Sequence, residues 1–133
     1  MALAKDLNTP ELVGDVLSLP VKGATTIYAG ALVATSATGY AQPGAIATTL
    51  TAAGRAEERV VNAGADGAVN IKVRRGTFRW KNSAAGDLIT IADFGKSAYI
   101  VDDETVAKTH NGNTRSIAGI IRGVDAQGVW IET

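Results

Sequence analysis

The chain has 133 residues, the length of a single domain with one core. Its 13 basic and 13 acidic residues cancel, so the chain lacks the overall field that draws a protein to nucleic acid or to an anionic membrane. Because it contains no cysteine, disulfides, thiolate metal sites and a thiol nucleophile are excluded.

The N-terminal segment, residues 1–14, is predicted to be an extended arm. It has no apolar run of the kind found in signal peptides, so we expect a soluble protein made in the cytoplasm without Sec-type export. Pro10 blocks a continuous helix and favours extended backbone before it. The segment is interpreted either as a frayed terminus or as an arm that lies on a neighbouring subunit. Its candidate contact residues are Leu3, Leu7 and Leu12.

Residues 15–133 are predicted to form a single all-β domain, a compact small barrel or sandwich of short strands. Turns containing glycine recur about every ten residues, and no window keeps an apolar helical period for about three turns. The apolar stretch 27–34 is much shorter than a membrane span, so no membrane partner is expected. The predicted strands are Asp15–Leu19, Ile27–Thr35, Tyr40–Gln42, Gly54–Val61, Ala68–Lys81, Ala98–Val101, Thr105–Lys108, Ser116–Val124 and Gly128–Glu132.

Two turns and one helical turn are predicted between these strands. Residues 110–113 contain Asn-Gly, which supplies the positive φ angles of a tight hairpin. Residues 125–128 form the second turn. Within residues 87–96, Thr90 is placed to cap a helical turn that ends at Gly95.

The predicted strand 68–81 is expected to bend. Its apolar residues in 69–73 share one face, whereas Phe78 and Trp80 fall on the opposite face. The register must therefore shift between these two groups. Residues 74–76 end in a glycine and lie at the change, so we predict a β-bulge there.

The same strand carries, interleaved with its two aromatic residues, a basic cluster consisting of Lys72, Arg74, Arg75, Arg79 and Lys81. Taken alone, this pattern is typical of a nucleic-acid-binding strand in an OB fold. Acidic residues elsewhere are numerous enough to neutralise the cluster, which favours a solvated or subunit-facing strand paired with carboxylates and no specific nucleic-acid partner. The candidate capsid or subunit interface residues on this strand are Arg74, Arg75, Arg79 and Trp80.

No catalytic, metal or cofactor site is predicted. His110 lies in a turn, and nothing around Ser116 resembles a nucleophile elbow, so a triad with an aspartate of 102–104 is not expected. The run 102–104 favours a charged turn over a calcium loop. The carboxylates of 57–58 fall on opposite faces of a strand and cannot act together as a general acid and base. Residues 62–67 are predicted to be a turn between strands and not a phosphate-binding loop.

A weak internal similarity is also present. Residues 29–39 and 118–128 share the spacing of two alanines and two glycines. In a chain rich in both residue types, shared turn chemistry explains this spacing better than internal duplication, and no prediction is based on it.

The order of segments along nearly the whole chain is its most informative pattern. In order and spacing the segments resemble the capsid decoration, or cement, proteins of tailed bacteriophages. The segments that carry the resemblance are Gly14–Pro20, Tyr28–Val33, Gly54–Val60, Val73–Phe78, Tyr99–Asp103 with Thr105–Thr109, and Arg115–Gly119 before Gly128–Trp130.

The resemblance implies a non-enzymatic structural protein. Such proteins are β-rich, bind the outside of an icosahedral head as homotrimers, contact the major capsid protein and have no catalytic residues to carry over. A trimer placed where capsomers meet would tie several capsid subunits together. Two other readings remain open, another viral or surface protein-binding β-module and a nucleic-acid-binding OB-like domain.

Overall fold

A computed structural model of the chain describes residues 4–8 and 14–133, and it is all-β, as predicted. Strands account for 45% and helices for 5%, which excludes a mixed α/β class. Leu7 is exposed, whereas Leu3 and Leu12 lie outside the described residues. The strands are Val16–Pro20 (β1), Thr25–Ile27 (β2), Leu32–Thr35 (β3), Ala41–Pro43 (β4), Thr51–Ala56 (β5), Val60–Asn62 (β6), Asn70–Arg74 (β7), Thr77–Trp80 (β8), Ser97–Ile100 (β9), Val106–Ala107 (β10), Ile117–Asp125 (β11) and Gly128–Glu132 (β12).

The described strands form three antiparallel sheets, none of which is closed into a barrel. The first sheet has the order β1-β7-β5-β3-β4, the second has the order β10-β9-β11-β12-β8, and β2 pairs with β6 in the third. In each five-stranded sheet the two edges meet at one isolated parallel bridge, Val21 with Ala41 and Lys81 with Thr105. The edges therefore approach each other without the continuous pairing that a barrel needs.

Two hydrophobic clusters form the interior, and β3 contributes to both. Val33 packs in the first cluster with Ile71 and other residues of the first sheet. Leu32 and Ala34, its neighbours along the strand, pack in the second cluster, most of which comes from the second sheet. Side chains alternate between the two faces of a strand, so β3 joins the two cores.

The two five-stranded sheets have the same topology. If the strands of each sheet are ranked along the chain, the order from edge to edge is 1-5-4-2-3 in the first sheet and, read from β8, 1-5-4-2-3 in the second. The registers match as well. Leu19 pairs with Ile71 in the first sheet, and the equivalent pair in the second sheet is Trp80 with Val129.

Further equivalent pairs extend the match across both sheets. Ala34 pairs with Gln42 as Tyr99 pairs with Ala107. Likewise, Arg55 pairs with Arg74 as Ile120 pairs with Glu132. Each sheet also has a register shift at the corresponding place, between Val33/Ala34 on β3 against β5 and between Ile117/Gly119 on β11 against β9. The second sheet has a further shift, between Ile121/Gly123 on β11 against β12.

Two glycines occupy equivalent places at these shifts. Gly54 has φ +141° and Gly119 has φ +155°. A Cβ atom on Gly54 would strike the carbonyl oxygen of Arg74, and one on Gly119 would strike that of Glu132. The same β unit therefore occurs twice, as the first unit (residues 16–74) and the second unit (residues 77–132). The similarity of 29–39 to 118–128 does not mark this repeat, since Gly119 corresponds to Gly54.

Segments 27–35 and 54–61 were each predicted to be one continuous strand, and both predictions are wrong. The first is broken between β2 and β3, where Gly30 adopts φ +85°. The second is broken after Ala56, and the chain then forms β6. The first part of one segment, β2, and the last part of the other, β6, pair with each other and lie outside the five-stranded sheets.

The predicted bulge at 74–76 is also wrong, although the change of face is confirmed. β7 belongs to the first sheet and β8 to the second, so the chain passes between sheets at Arg75 and Gly76. The Arg75 amide donates to the carbonyl of Asp15 at 2.8 Å. The side chains change sides because the strand changes sheet.

The predicted turns are confirmed. Asp125 pairs with Gly128 at the end of the β11–β12 hairpin. Three consecutive residues, Asn111 to Asn113, have positive φ. The predicted hairpin there is wrong, because β9 lies between β10 and β11 in the sheet. Thr90 precedes the single-turn 3₁₀ helix Ile91–Asp93, and a second such helix spans Ala85–Asp87.

Candidate functional site

The structure divides the basic cluster between two sheets. Lys72 and Arg74 lie on the exposed face of β7, whose Ile71 and Val73 are buried. Arg79 lies on the exposed face of β8. A single basic groove of the kind that follows a nucleic-acid backbone is therefore not formed by this strand.

The guanidinium groups near the passage between the sheets are paired with Glu57. Arg55 donates to the Glu57 carboxylate at 2.7 Å, and Arg74 donates to the same oxygen at 3.1 Å. The hydrogen bond from Arg55 lowers the pKa of Glu57 below its ordinary value. Arg55 also lies 4.4 Å from the centre of the Phe78 ring, so it links the two units. The predicted pairing with carboxylates is confirmed here.

Trp80 lies in the second core and is only 5% exposed. Its ring meets that of Phe78 edge to face, with 6.4 Å between centroids. The indole Nε1 has no hydrogen-bond partner among the described residues. Trp80 therefore supports the fold beneath β8, and the surface of this strand is formed by Arg79.

Arg79, Asp125 and Trp130 form a connected group on the outer face of the second sheet. The Trp130 indole donates to Asp125 Oδ2 at 3.0 Å, and the Arg79 guanidinium lies 3.6 Å from the same oxygen. Arg79 also lies 5.6 Å from the centre of the Trp130 ring. The hydrogen bond from Trp130 lowers the pKa of Asp125, so the carboxylate stays ionised and keeps both partners in place.

Trp130 was not among the predicted site residues. Along β12, Val129 and Ile131 are buried and Trp130 is 39% exposed. The alternation in Gly128–Glu132 was the sequence signal, because an aromatic residue between two buried aliphatic residues must face outward. An arginine and a tryptophan held together on a surface are the residue types enriched at interface hot spots.

A groove of about 620 Å³ lies between the units. It is lined on one side by Leu50 and Ala52 and on the other by Tyr99, His110 and Ile117. Tyr99 and His110 meet edge to face at 5.7 Å. Polar side chains, including that of Arg115, complete the lining, which contains no aspartate or glutamate.

The polar residues near this groove are used in structure. The Ser116 hydroxyl donates to the carbonyl of Ala47 at 2.6 Å and accepts from the amide of Leu50 at 3.1 Å, so it ties the first unit to the second. His110 Nδ1 accepts from the amide of Asn113 at 2.9 Å.

Asp102 accepts hydrogen bonds from two backbone amides in the turn that it begins, which confirms the predicted charged turn.

Within residues 4–8 and 14–133, no group of three or more histidine, cysteine, aspartate or glutamate residues is placed to hold a metal ion. Nor does this part of the chain contain a helix long and apolar enough to cross a membrane. No family model matches the sequence, and no curated protein or solved structure matches it either.

Proposed function

We propose that the protein is a structural decoration (cement) protein that binds the outer surface of a bacteriophage head and stabilises contacts between major capsid subunits. The observation that carries the proposal is the Arg79–Asp125–Trp130 group on an all-β body. The resemblance of the segment order to cement proteins supplies the identity of the partner.

The group suits attachment to a protein surface for a physical reason. Binding normally costs side-chain entropy, about 0.5 to 1.5 kcal/mol for each flexible side chain that is immobilised. Asp125 already holds Trp130 through a hydrogen bond and Arg79 through an ion pair, so part of that ordering exists before binding. A preordered tryptophan with an adjacent arginine is well suited to fill a pocket on a partner.

The finer features of the proposal concern assembly. The two five-stranded sheets act as a sandwich, and residues 1–14 form an arm that becomes ordered on a neighbour. Three copies form a homotrimer on the exterior of the virion, after synthesis in the host cytoplasm. Several modest contacts made at once give avidity, and binding only the assembled shell stabilises that shell by mass action.

The test measures occupancy on purified heads that lack the protein, by electron microscopy and by sedimentation with the heads. Wild-type protein is expected to bind, and Trp130→Ala to weaken binding by about 2 kcal/mol, or roughly 30-fold in Kd. Tyr28→Ala is the matched control, because Tyr28 is exposed and lies 5.3 Å from Arg59 in a similar pair. Absence of wild-type binding would refute the proposal and leave another protein-binding β-module as the alternative.

The nucleic-acid alternative is tested in parallel. Lys81 pairs with Glu104 at 3.0 Å, and Arg74 and Arg79 are paired with Glu57 and Asp125, so carboxylates compensate part of the positive charge on this strand. We expect no change in DNA mobility at low salt. A shift that disappears as salt increases would favour the OB-like reading.

A further inference from the structure

The second unit covers one face of the first unit. Leu32 and Ala34 point away from the first core and are fully buried. The Leu32 amide donates to the carbonyl of Asp103, in the β9–β10 turn of the second unit, at 2.8 Å. The backbone of Gly44 lies so close to this turn that a Cβ atom there would be 2.8 Å from the Asp102 carbonyl oxygen. The chain thus contains one complete unit-to-unit contact.

The equivalent face of the second unit is open. Register pairing equates Ser97 with Leu32, Tyr99 with Ala34, and Ile117 with Ala52. Ser97 and Tyr99 are half-buried, and Ile117 is 53% exposed. The face that is buried in the first unit therefore remains accessible, with an aromatic and an aliphatic side chain, in the second.

The turn that would cover this face also exists, in the first unit. The β3–β4 turn is closed by a hydrogen bond from the Ser36 amide to the Tyr40 carbonyl at 2.9 Å. The β9–β10 turn is closed in the same way, from the Val101 amide to the Thr105 carbonyl at 3.0 Å. Residues 37–39 of the β3–β4 turn are exposed, whereas Asp102 and Asp103 in the other turn are half-buried by the first unit.

We propose that the open face of the second unit binds the β3–β4 turn of another copy of this chain. The contact repeats, between chains, the arrangement that already joins the two units within one chain. Thr38 of the second copy then takes the place of Asp103, and Ser97 takes the place of Leu32.

The side chains are complementary to this arrangement. The turn 36–39 consists of serine, alanine, threonine and glycine and carries no charge, whereas the equivalent turn contains Asp102, Asp103 and Glu104. Burying the uncharged turn against Tyr99 and Ile117 desolvates no carboxylate.

This contact is head-to-tail, because it joins two different surfaces. Contacts of this kind close into rings when the rotation between copies allows it. The number of copies rests on the proposed function, and a homotrimer joined in this way contains six β units in one ring. The two contacting surfaces are inferred from the contact between the two units of one chain and do not depend on that number.

Cysteine cross-linking tests the contact directly, because the chain has no cysteine of its own. Two residues in the positions of Leu32 and Asp103 should lie close enough for a disulfide, whose Cα atoms are about 4.4 to 6.8 Å apart. We expect Thr38→Cys with Ser97→Cys to give, on oxidation, a ladder of linked chains that ends at a closed trimer. Each single variant should stay unlinked. Linked dimers from either single variant, or an unlinked double variant, would overturn the proposal.

A second experiment separates this inference from head binding. Ile117→Arg should reduce the mass measured by light scattering to that of one chain, 13.7 kDa, with an unchanged circular dichroism spectrum. Val61→Arg is the matched control, because Val61 is 54% exposed on β6, and it should keep the oligomer. A wild-type protein that is monomeric and still binds heads would refute the inference and leave head binding, the central part of the proposed function, intact. A ring that does not bind heads would support the inference and refute the proposed function.

Discussion

Adding one methyl group at Gly119 tests whether the two units share a backbone constraint. Gly119→Ala places a Cβ atom against the carbonyl of Glu132 and 2.8 Å from Cγ2 of Ile131, at φ +155°. Such a backbone conformation costs about 1 to 3 kcal/mol for a residue other than glycine. The collision adds about 1 to 3 kcal/mol of overpacking. A total near 4 kcal/mol would lower the melting temperature of a domain of this size by roughly 15 °C.

Two further variants make the test specific to the repeat. Gly54→Ala should cost about as much as Gly119→Ala, because its Cβ atom would strike the equivalent carbonyl, that of Arg74. Gly39→Ala is the control, since φ is +89° but no atom lies within 4 Å of the added Cβ, so only the backbone cost of about 1 to 2 kcal/mol remains. Stability is measured by urea unfolding followed by circular dichroism. If Gly119→Ala were as mild as Gly39→Ala, the proposed close approach would be refuted.

The remaining predictions each concern a single feature. The hydrogen bond from the Thr90 amide lowers the pKa of Asp93. The ionised carboxylate therefore stabilises the fold above pH 3.8, the ordinary pKa, and this stabilisation is lost as the pH falls further. Asp93→Asn should flatten acid unfolding curves in that range. Ser116→Ala removes two hydrogen bonds between the units and should lower the free energy of unfolding by about 1 to 3 kcal/mol, whereas His110→Ala should leave the melting temperature unchanged. Deletion of residues 2–12 should preserve the circular dichroism melt and reduce occupancy on heads; an unfolded product would show that the segment belongs to the core.

The features that were predictable from the sequence depend on local chemistry. Short apolar segments between glycine-rich turns were sufficient to predict the all-β class. The hairpin at 125–128 and the turn capped by Thr90 were predicted because a few neighbouring residues determine their geometry.

The arrangement of strands into sheets was not predictable in the same way. The segment 27–35 reads as one apolar strand, and only the pairing of β2 with β6 shows that it divides. The repeat was hidden because equivalent buried positions carry different residues, as with Ile71 and Val129. Core positions accept many side chains of suitable size, so a shared topology leaves little trace in the residues.

The bridge at Lys81 affects the tendency of the protein to aggregate when it is produced at high concentration. Strand edges with free amides and carbonyls are templates on which other chains can add and aggregate. Here the Lys81 amide donates to the carbonyl of Glu104 at 2.7 Å, and its carbonyl accepts from the amide of Val106 at 2.9 Å. The end of β8 and the start of β10 thereby occupy each other's exposed backbone groups. Each five-stranded sheet thus partly seals its own edges, which limits sheet-to-sheet aggregation at high concentration.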